Sequence, residues 1–340
     1  MKIGILGAGT WGIALTALLA KNGHDLIVWS AIENEVKELK ETGRHKNLPG
    51  LVLVDDIKYT SDISEAVKDR QLIIFVTPSE YIRATAKAAA PHIACGAILA
   101  SAAKGIEKST LMTMTDIIGD EMSRIGRTDC SLVALSGPTH AEEVALGLPT
   151  SIVAACEDEK IALSLAEAFS NSCMRVYINT DVLGVELSGA LKNIMALAAG
   201  INTGMGFGDN AKAMLITRGA AEMTRIGLAM GARLETFMGL AGIGDLIVTC
   251  TSPHSRNNRC GELIGMGKSY AEAAKEIGMV VEGYHALGAA VELSKKYSVE
   301  MPIVTAVNAV INEGLSPVSA IRALMNRDVK NELDLTSYKS

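Results

Sequence analysis

A glycine pattern near the start of the chain is the first feature whose residue types and spacing could do chemistry. Gly7-Ala8-Gly9-Thr10-Trp11-Gly12 fits G-x-G-x-x-G, directly after the apolar run Ile3–Leu6 and at the start of a helical stretch. The first glycine permits a tight turn, the second lets backbone approach a pyrophosphate, and the third lets helix and strand pack closely. The helix N-terminus offers N–H groups to the phosphates. The pattern predicts a dinucleotide site around Gly7, Gly9 and Gly12.

The segment after the second apolar run leaves the type of dinucleotide open. A carboxylate there would bind a ribose 2′-hydroxyl, whereas an arginine would favour a 2′-phosphate. Trp29-Ser30-Ala31 supplies neither, although Glu33 lies a few residues on and Arg44 and Lys46 could fold back. The sequence therefore predicts NAD(H) or NADP(H) without deciding between them.

A lysine in an almost entirely apolar helical stretch is the second chemical feature. In Val182–Gly200 the charged residues are Glu186 and Lys192. Lys192 shares its helical face with small or apolar residues, namely Val185, Ser188, Gly189, Ala196 and Ala199. This predicts a buried amine suited to proton transfer with a carbonyl/alcohol pair, because burial lowers the pKa of a lysine. The alternative is a stem that lies on apolar surface while the amine reaches water.

Polar residues also follow predicted strands, at the sheet edge where open α/β proteins bind ligands. Lys104 follows the run Ile98–Ala100, where a cation can meet a phosphate or a polarised oxygen; the alternative is a solvated loop lysine. The segment Ser136–Glu143 follows Leu132–Leu135. Within it, His140 is expected to be structural or to cap a helix rather than to act as a catalytic acid.

One carboxylate, Asp245, is predicted to stand in an apolar, glycine-rich loop, Gly239–Val248. It is expected to bond a substrate hydroxyl or to hold Lys192 in place. A turn or helix-capping role explains the same residue, because aspartate is common at such positions.

Ten residues further, Ser255 can cap a helix whose first turn contains Arg256 and Asn257. A helix N-terminus beside an arginine binds phosphate, but a solvated, charged helix start explains the segment equally well. Glu282 can cap a helix or approach a nicotinamide, and the residues alone leave both open.

These residues require a scaffold of alternating strands and helices. The first half contains short runs rich in Ile, Val and Leu, which is typical of parallel strands buried on both faces. The runs are Ile3–Leu6, Leu26–Trp29, Leu72–Val76, Ile98–Ala100, Leu132–Leu135, Ile152–Ala155 and Arg175–Ile178. Helical stretches lie between several of them: Trp11–Asn22, Ile63–Lys68 and Lys160–Asn171.

After about Asp181 helical windows take over: Val182–Gly200, Asn210–Met230, Tyr270–Glu276, Tyr284–Tyr297 and Ile303–Asn312. The predicted fold class is α/β, with a Rossmann-type doubly wound N-terminal domain and a mainly α-helical C-terminal domain. We predict a dinucleotide-binding domain over 1–180 and a substrate and catalytic domain over 181–340.

Composition limits the function classes. The net charge is −6, hydrophobic residues make up 49% and charged residues 21%, so a packed core is expected and a nucleic-acid surface is not. The six cysteines form no C-x-x-C pair, which predicts free core thiols in a reducing compartment and no metal site. The start of the chain is already a strand and turn, and no apolar run reaches about 18 residues. We expect a cytoplasmic protein without a signal peptide or membrane span.

Together these residues resemble bacterial NAD(P)-dependent glycerol-3-phosphate dehydrogenase, from Gly7 to about Arg327. Beyond GAGTWG, which many Rossmann enzymes share, the resemblance rests on segments that are specific in combination. They are NLPG at Asn47–Gly50, SAAKGIE at Ser101–Glu107, SGPTHAEEV, ELSGALKNI, GLAGIGDLIVTC and SRN.

The resemblance implies hydride transfer between NAD(P)(H) and the pair dihydroxyacetone phosphate and sn-glycerol 3-phosphate, which supplies glycerophospholipid synthesis. It makes Lys192 the proton donor and acceptor. The implied substrate residues are Lys104, Gly137, Thr139, Lys192, Asp245, Ser255, Arg256 and Asn257. The implied cofactor residues are Gly7, Gly9, Thr10, Trp11, Gly12, Lys104, Ala141, Arg256, Val280 and Glu282. The helical domain is expected to be similar to that of 6-phosphogluconate dehydrogenase, and a homodimer is compatible with the sequence.

This chain departs from the family pattern at two places. Ser30-Ala31 stands where the family usually has a basic residue after the second strand, which bears on the use of NADP. Thr139 replaces a serine and keeps the hydroxyl.

Two rival interpretations follow from the same residues. One is another hydroxy- or keto-acid dehydrogenase of this architecture, which would need a carboxylate site instead of a phosphate site. The other is a dinucleotide sensor without turnover, which would not need a lysine in a buried helix. Consumption of NADH distinguishes the sensor from the enzymes.

Overall fold

The computed structural model describes residues 1–54, 56–329 and 331–332, and its first half is built on one eight-stranded sheet. The strands are β1 Lys2–Leu6, β2 Asp25–Trp29, β3 Lys58–Thr60, β4 Leu72–Phe75, β5 Ile98–Ser101, β6 Ser131–Ser136, β7 Thr150–Ala155 and β8 Met174–Asn179. Each of the seven predicted apolar runs lies on one of them.

The order across the sheet is β3-β2-β1-β4-β5-β6-β7-β8. β1 pairs in parallel with β2 on one side and β4 on the other, so Leu6 lies opposite both Trp29 and Phe75. From β1 the chain first adds β2 and β3 on one side of the sheet, and then adds β4 to β8 on the other side. Doubly wound sheets bind ligands at such a switch, beyond the carboxyl ends of the strands. The predicted fold class is confirmed.

Two details of the sheet differ from the prediction. β7 runs antiparallel to β6, because the connection 137–149 contains only the short helix Ala141–Ala145 and does not carry the chain back across the sheet. The three-residue β3 was not predicted, because its sequence Lys-Tyr-Thr contains no apolar run.

In the described part of the first half the α-helices are α1 Thr10–Lys21, α2 Glu33–Thr42, α3 Ile63–Val67, α4 Ile82–Ala89, α5 Met114–Arg124, α6 Ala141–Ala145 and α7 Glu159–Phe169. The second half is helical: α8 Val182–Gly204, α9 Asp209–Ala229, α10 Leu234–Met238, α11 Asp245–Thr251, α12 Arg256–Gly265, α13 Tyr270–Ile277, α14 Glu282–Lys296, α15 Pro302–Asn312 and α16 Pro317–Met325. All eight predicted helices are present. Among those not predicted, α2 is mostly polar and buries only Val36 and Leu39, which leaves little apolar signal.

The chain forms two compact units. Unit 1 contains 1–104 and 113–182, and unit 2 contains 105–112 and 183–340, of which the structure describes the part stated above. Unit 1 has a core of strand and helix side chains from Ile3 to Met174. Unit 2 has a separate core centred on α8, to which Ile106 also contributes. The domain bounds 1–180 and 181–340 stay a prediction.

Helix α8 passes the length and composition test for a membrane span, but 89% of the apolar window is buried inside the protein, as in the central helix of a globular core. The prediction of core thiols was half right. All six cysteines are free; Cys156, Cys250 and Cys260 are buried, whereas Cys95 is exposed and Cys130 and Cys173 are partly exposed.

A buried glutamate ties two helices of unit 2 together. Glu222 on α9 is 2% exposed and accepts hydrogen bonds from the backbone N–H groups of Ile303 at 2.7 Å and Val304 at 3.4 Å, in the first turn of α15. Burial raises the pKa of the Glu222 carboxyl to about 7. It therefore takes up a proton more readily in the folded chain than in the unfolded chain.

We expect Glu222 to make stability fall as the pH rises from about 4.5 to about 7. In that window the folded state binds more protons than the unfolded state, so the free energy of unfolding declines as the pH rises. The total decline is about 3 kcal/mol, and above about pH 7 the contribution of Glu222 is constant. Glu222→Gln keeps an acceptor for Ile303 but cannot ionise. Thermal denaturation of both proteins at pH 5 and pH 8 tests this. Wild type should lose stability relative to the variant at pH 8, and parallel pH profiles would contradict the assignment.

Candidate active site

The glycine loop of unit 1 has the geometry that a pyrophosphate requires. Gly7 has φ +131°, and a Cβ there would lie 2.9 Å from the backbone nitrogen of Thr77. A Cβ on Gly12 would lie 2.0 Å from the carbonyl oxygen of Gly7. At Gly9, by contrast, no described atom lies within 4 Å of the position of a Cβ. Gly9 has no side chain to cap α1, so the loop presents open backbone and a helix N-terminus, and these residues fit a dinucleotide.

The residues next to this loop hold its shape. Thr10 is the first residue of α1, and its Oγ1 accepts a hydrogen bond of 3.0 Å from Nδ2 of Asn47. Trp11 is half-buried against the core of unit 1. The segment Asn47–Gly50 is thereby tied to the start of α1.

The ends of β5 and β6 bring a second group together in unit 1. Lys104 follows β5, and its Nζ donates to the carbonyl oxygen of Gly137 at 3.1 Å. Gly137 follows β6 with φ +150°, and Oγ1 of Thr139 donates to the same carbonyl at 3.2 Å. His140 occupies the N-cap position of α6, and Ala141 is its first residue. The strand ends thus place an ammonium group and a hydroxyl within a few ångströms of each other.

Lys192 is the central charged group of unit 2. It is 6% exposed, and its Nζ donates to Oδ1 of Asp245 at 2.5 Å and to Oγ1 of Thr249 at 2.7 Å. Asp245 is 1% exposed, and Thr249 donates in turn to the backbone carbonyl of Asp245 at 2.6 Å. The opposite charge of Asp245 favours the ammonium form and so counteracts the effect of burial on Lys192. The amine is held in one direction by two fixed acceptors.

This arrangement can deliver a proton. A buried, oriented ammonium can hydrogen-bond a carbonyl oxygen, stabilise negative charge that develops on it, and transfer a proton to it. The nearby Cys250 thiol is no rival donor, because burial raises its pKa to about 12. Among the described residues, no three His, Cys, Asp or Glu side chains are grouped so that they could hold a metal ion.

Helix α12 begins where the sequence predicts. Ser255 is its N-cap, and its Oγ accepts from the N–H of Asn258 at 3.2 Å. Arg256 is exposed in the first turn. Asn257 is buried; its Nδ2 donates to Oδ1 of Asn193 at 3.0 Å, and its Oδ1 accepts from the N–H of Gly283 at 2.9 Å. An exposed guanidinium thus stands at a helix N-terminus whose position is fixed by Asn257.

The start of α14 is part of the same group. Glu282 is the first residue of α14 and is half-buried, as is Val280 two residues before it. The bond from Gly283 to Asn257 connects this helix start to α12, and Asn193, next to Lys192, connects both to α8. Unit 2 therefore brings together predicted residues from four segments, namely α8 and the starts of α11, α12 and α14.

Sequence reasoning was wrong about the form of the segment that contains Asp245. It is not a loop: Leu240–Gly244 is a π-helical turn, and α11 begins at Asp245. This is why Thr249 was missed, since Asp245 and Thr249 share a face only at helical spacing. Asn193 was missed because nothing in its local sequence marks its bond to Asn257.

Close packing of α8 on α12 sets the position of the arginine. A Cβ on Gly200 of α8 would lie 1.9 Å from the carbonyl oxygen of Asn258, and a Cβ on Gly261 of α12 would lie 2.1 Å from that of Leu197. The two backbones approach so closely that only glycine fits at either position.

We expect Gly200→Ala to lower the free energy of unfolding by about 2–3 kcal/mol, because the methyl group must push α12 away. Gly50→Ala is the matched control: its nearest atom would be Cδ2 of Leu146 at an ordinary 3.7 Å, so a change within about 0.5 kcal/mol is expected. Urea denaturation measures both. Equal stability of the two variants would show that the contact between α8 and α12 can accommodate a methyl group at Gly200.

Comparison with known proteins identifies one family over most of the chain. The model of the NAD-dependent glycerol-3-phosphate dehydrogenase N-terminus matches residues 2–162, and that of the C-terminus matches residues 181–322. Glycerol-3-phosphate dehydrogenase [NAD(P)+] 2 of Lactobacillus delbrueckii subsp. bulgaricus is 56% identical over 333 residues, which cover 98% of this chain and 99% of the relative. The Bacillus subtilis glycerol-3-phosphate dehydrogenase [NAD(P)+] is 45% identical, with 98% and 96% covered.

A solved structure gives the same result. The crystal structure of glycerol-3-phosphate dehydrogenase from Coxiella burnetii superposes with a TM-score of 0.91 at 35% identity, covering 96% of this chain and 99% of that one. These matches give no support to the two rival interpretations. The chain belongs to the NAD-dependent glycerol-3-phosphate dehydrogenase family, oxidoreductases that act on a CH–OH group with NAD(H) or NADP(H).

Proposed function

We propose that this chain reversibly reduces dihydroxyacetone phosphate to sn-glycerol 3-phosphate with NADH or NADPH. The observation that carries the proposal is the buried Lys192 ammonium, held at 2.5 Å by Asp245 and at 2.7 Å by Thr249. The full-length relatives, which are named for this substrate, support the same reaction.

Lys192 is proposed as the proton donor and acceptor. Its ammonium binds the C2 carbonyl oxygen, and the proton moves from Nζ to that oxygen as C2 becomes a secondary alcohol. The nicotinamide, when bound, supplies the hydride that C2 accepts. In the oxidative direction the neutral amine takes the hydroxyl proton. Asp245 and Thr249 orient the amine throughout, so little reorganisation is needed during the reaction.

Arg256 is proposed to bind the substrate phosphate. An arginine at a helix N-terminus combines a bidentate cation with backbone N–H donors, which suits a phosphate dianion. A phosphate held away from C2 converts binding energy into orientation of the carbonyl. The proposed substrate residues are Lys104, Gly137, Thr139, Lys192, Asp245, Ser255, Arg256 and Asn257. The proposed cofactor residues are Gly7, Gly9, Thr10, Trp11, Gly12, Lys104, Ala141, Arg256, Val280 and Glu282.

The biological setting is part of the proposal. We assign dinucleotide binding to 1–180 and substrate binding and catalysis to 181–340. We further propose that the enzyme acts in the cytoplasm as a homodimer and supplies sn-glycerol 3-phosphate to glycerophospholipid synthesis. The family membership supports the reaction on which these assignments rest. Free, buried thiols such as Cys260 suit a reducing compartment and support the cytoplasmic location alone.

The test is the loss of NADH or NADPH absorbance when dihydroxyacetone phosphate is added, with unphosphorylated dihydroxyacetone as control. Rapid loss with the phosphate ester alone is the expected result. A folded protein that binds dinucleotide but consumes neither cofactor would reject the proposed substrate.

A further inference from the structure

Glu35, in the first turn of α2, has a carboxylate that points back toward the end of β2. Ser30, directly after β2, is 5% exposed, and its Oγ donates to Oε2 of Glu35 at 2.7 Å while accepting from the N–H of Ile32 at 3.1 Å. Glu35 is half-buried in the first turn of α2. The preceding residue, Trp29, accepts a backbone bond of 2.9 Å from Gly7. Ser30 thus directs Glu35 toward the strand end that adjoins the glycine loop.

Charge at this position decides which dinucleotide a Rossmann-type domain accepts. A carboxylate after the second strand accepts a hydrogen bond from the ribose 2′-hydroxyl, whereas a 2′-phosphate needs a cation. From Trp29 to Glu35 the chain has no lysine or arginine, and its charged residues are Glu33 and Glu35. Ile32, in the same segment, is 55% exposed.

The basic residues nearest in sequence are Lys37 and Lys40, which lie on α2 and are exposed. Those that follow α2 are Arg44, His45 and Lys46. His45 is poorly suited to neutralise a phosphate: its pKa is lowered by burial first, and Lys46 lowers it further while Glu35 and Glu38 raise it. Its Nδ1 also accepts a hydrogen bond from the N–H of Asn47 at 3.2 Å.

We propose that Glu35, positioned by Ser30, selects NAD(H) over NADP(H) in this chain. The carboxylate accepts the hydrogen bond of the adenosine 2′-hydroxyl and repels a 2′-phosphate. The inference rests on the proposed function only in that the ligand is a dinucleotide.

A similar arrangement at the neighbouring strand provides a matched control. At the last residue of β3, Oγ1 of Thr60 donates to Oε2 of Glu65 at 2.6 Å and accepts from the N–H of Asp62 at 3.0 Å. The pattern by itself therefore stabilises a helix start. β3 is the edge strand beyond β2, one strand further from the glycine loop, so Glu65 should not affect the ribose.

Calorimetric titration with ADP-ribose and 2′-phospho-ADP-ribose tests the inference without substrate or turnover. Wild type should bind ADP-ribose at least about tenfold more tightly, because only the phosphorylated probe meets the carboxylate with like charge. Glu35→Gln should narrow this ratio to within about threefold, and Ser30→Ala should narrow it in part. Glu65→Gln should leave it unchanged. Thermal denaturation shows whether each variant is folded.

Equal binding of the two probes by wild type, or tighter binding of the phosphorylated one, would overturn the inference and point to a cation such as Lys37, Arg44 or Lys46 as the partner of the 2′-phosphate. It would also be overturned if Glu65→Gln changed the ratio as much as Glu35→Gln does. If folded wild type bound neither probe, the dinucleotide proposal itself would fail. That failure is distinct from a loss of selectivity alone.

Discussion

Replacing Lys192 with methionine is expected to lower kcat/KM for dihydroxyacetone phosphate reduction roughly 10³-fold, with little change in dinucleotide affinity. Methionine keeps the length of the side chain but can neither donate a proton nor stabilise charge on the C2 oxygen. Steady-state kinetics and a separate titration with the dinucleotide measure the two effects.

The variant also leaves Asp245 buried without its cation, which costs about 3–5 kcal/mol of stability. A loss of activity could then come from unfolding. The double variant Lys192→Met/Asp245→Asn removes both charges and should recover much of this stability while remaining inactive. A double variant that is stable and as active as wild type would disprove the role of Lys192.

Arg256→Ala is expected to raise KM for dihydroxyacetone phosphate about 10- to 100-fold, with a smaller effect on kcat. Hydrogen bonds to charged partners are worth about 1.5–3 kcal/mol each, and the guanidinium is the cation of the proposed phosphate site. Because Arg256 is exposed, its removal should leave the fold intact.

Two controls make this prediction specific to phosphate. Arg259→Ala removes an exposed arginine one turn further along α12 and should leave KM near that of wild type. Turnover of unphosphorylated dihydroxyacetone, which we expect to be slow in wild type, should not fall further in Arg256→Ala. If both arginine variants raised KM equally, a general effect of positive charge would replace the phosphate site.

Much of the fold follows from local patterns in the sequence. The runs that became β1, β2, β4 and β5 are continuous and apolar because both faces of the sheet are covered. The segments that became α8 and α9 carry helical spacing over several turns. These signals are local, since each residue's type reflects its own burial. Weakly apolar elements such as β3 and α2 carry little of that signal and were not predicted.

The candidate site was predicted in part. Motifs identified the dinucleotide loop, and the almost entirely apolar sequence of α8 predicted the burial of Lys192, which the structure places at 6% exposure. The capped start of α12 was also predicted from Ser255. The roles of these residues stay predictions until the variants are measured.

The sequence by itself determined the fold class, the glycine loop and the burial of the lysine, because periodicity and residue type report on each residue's own surroundings. Only the tertiary structure decided that Lys192 meets Asp245 and Thr249, that β7 reverses direction, and that Ser30 turns Glu35 toward the strand end. These are contacts between side chains or strands whose distance and direction depend on how whole elements pack. No local pattern encodes that packing.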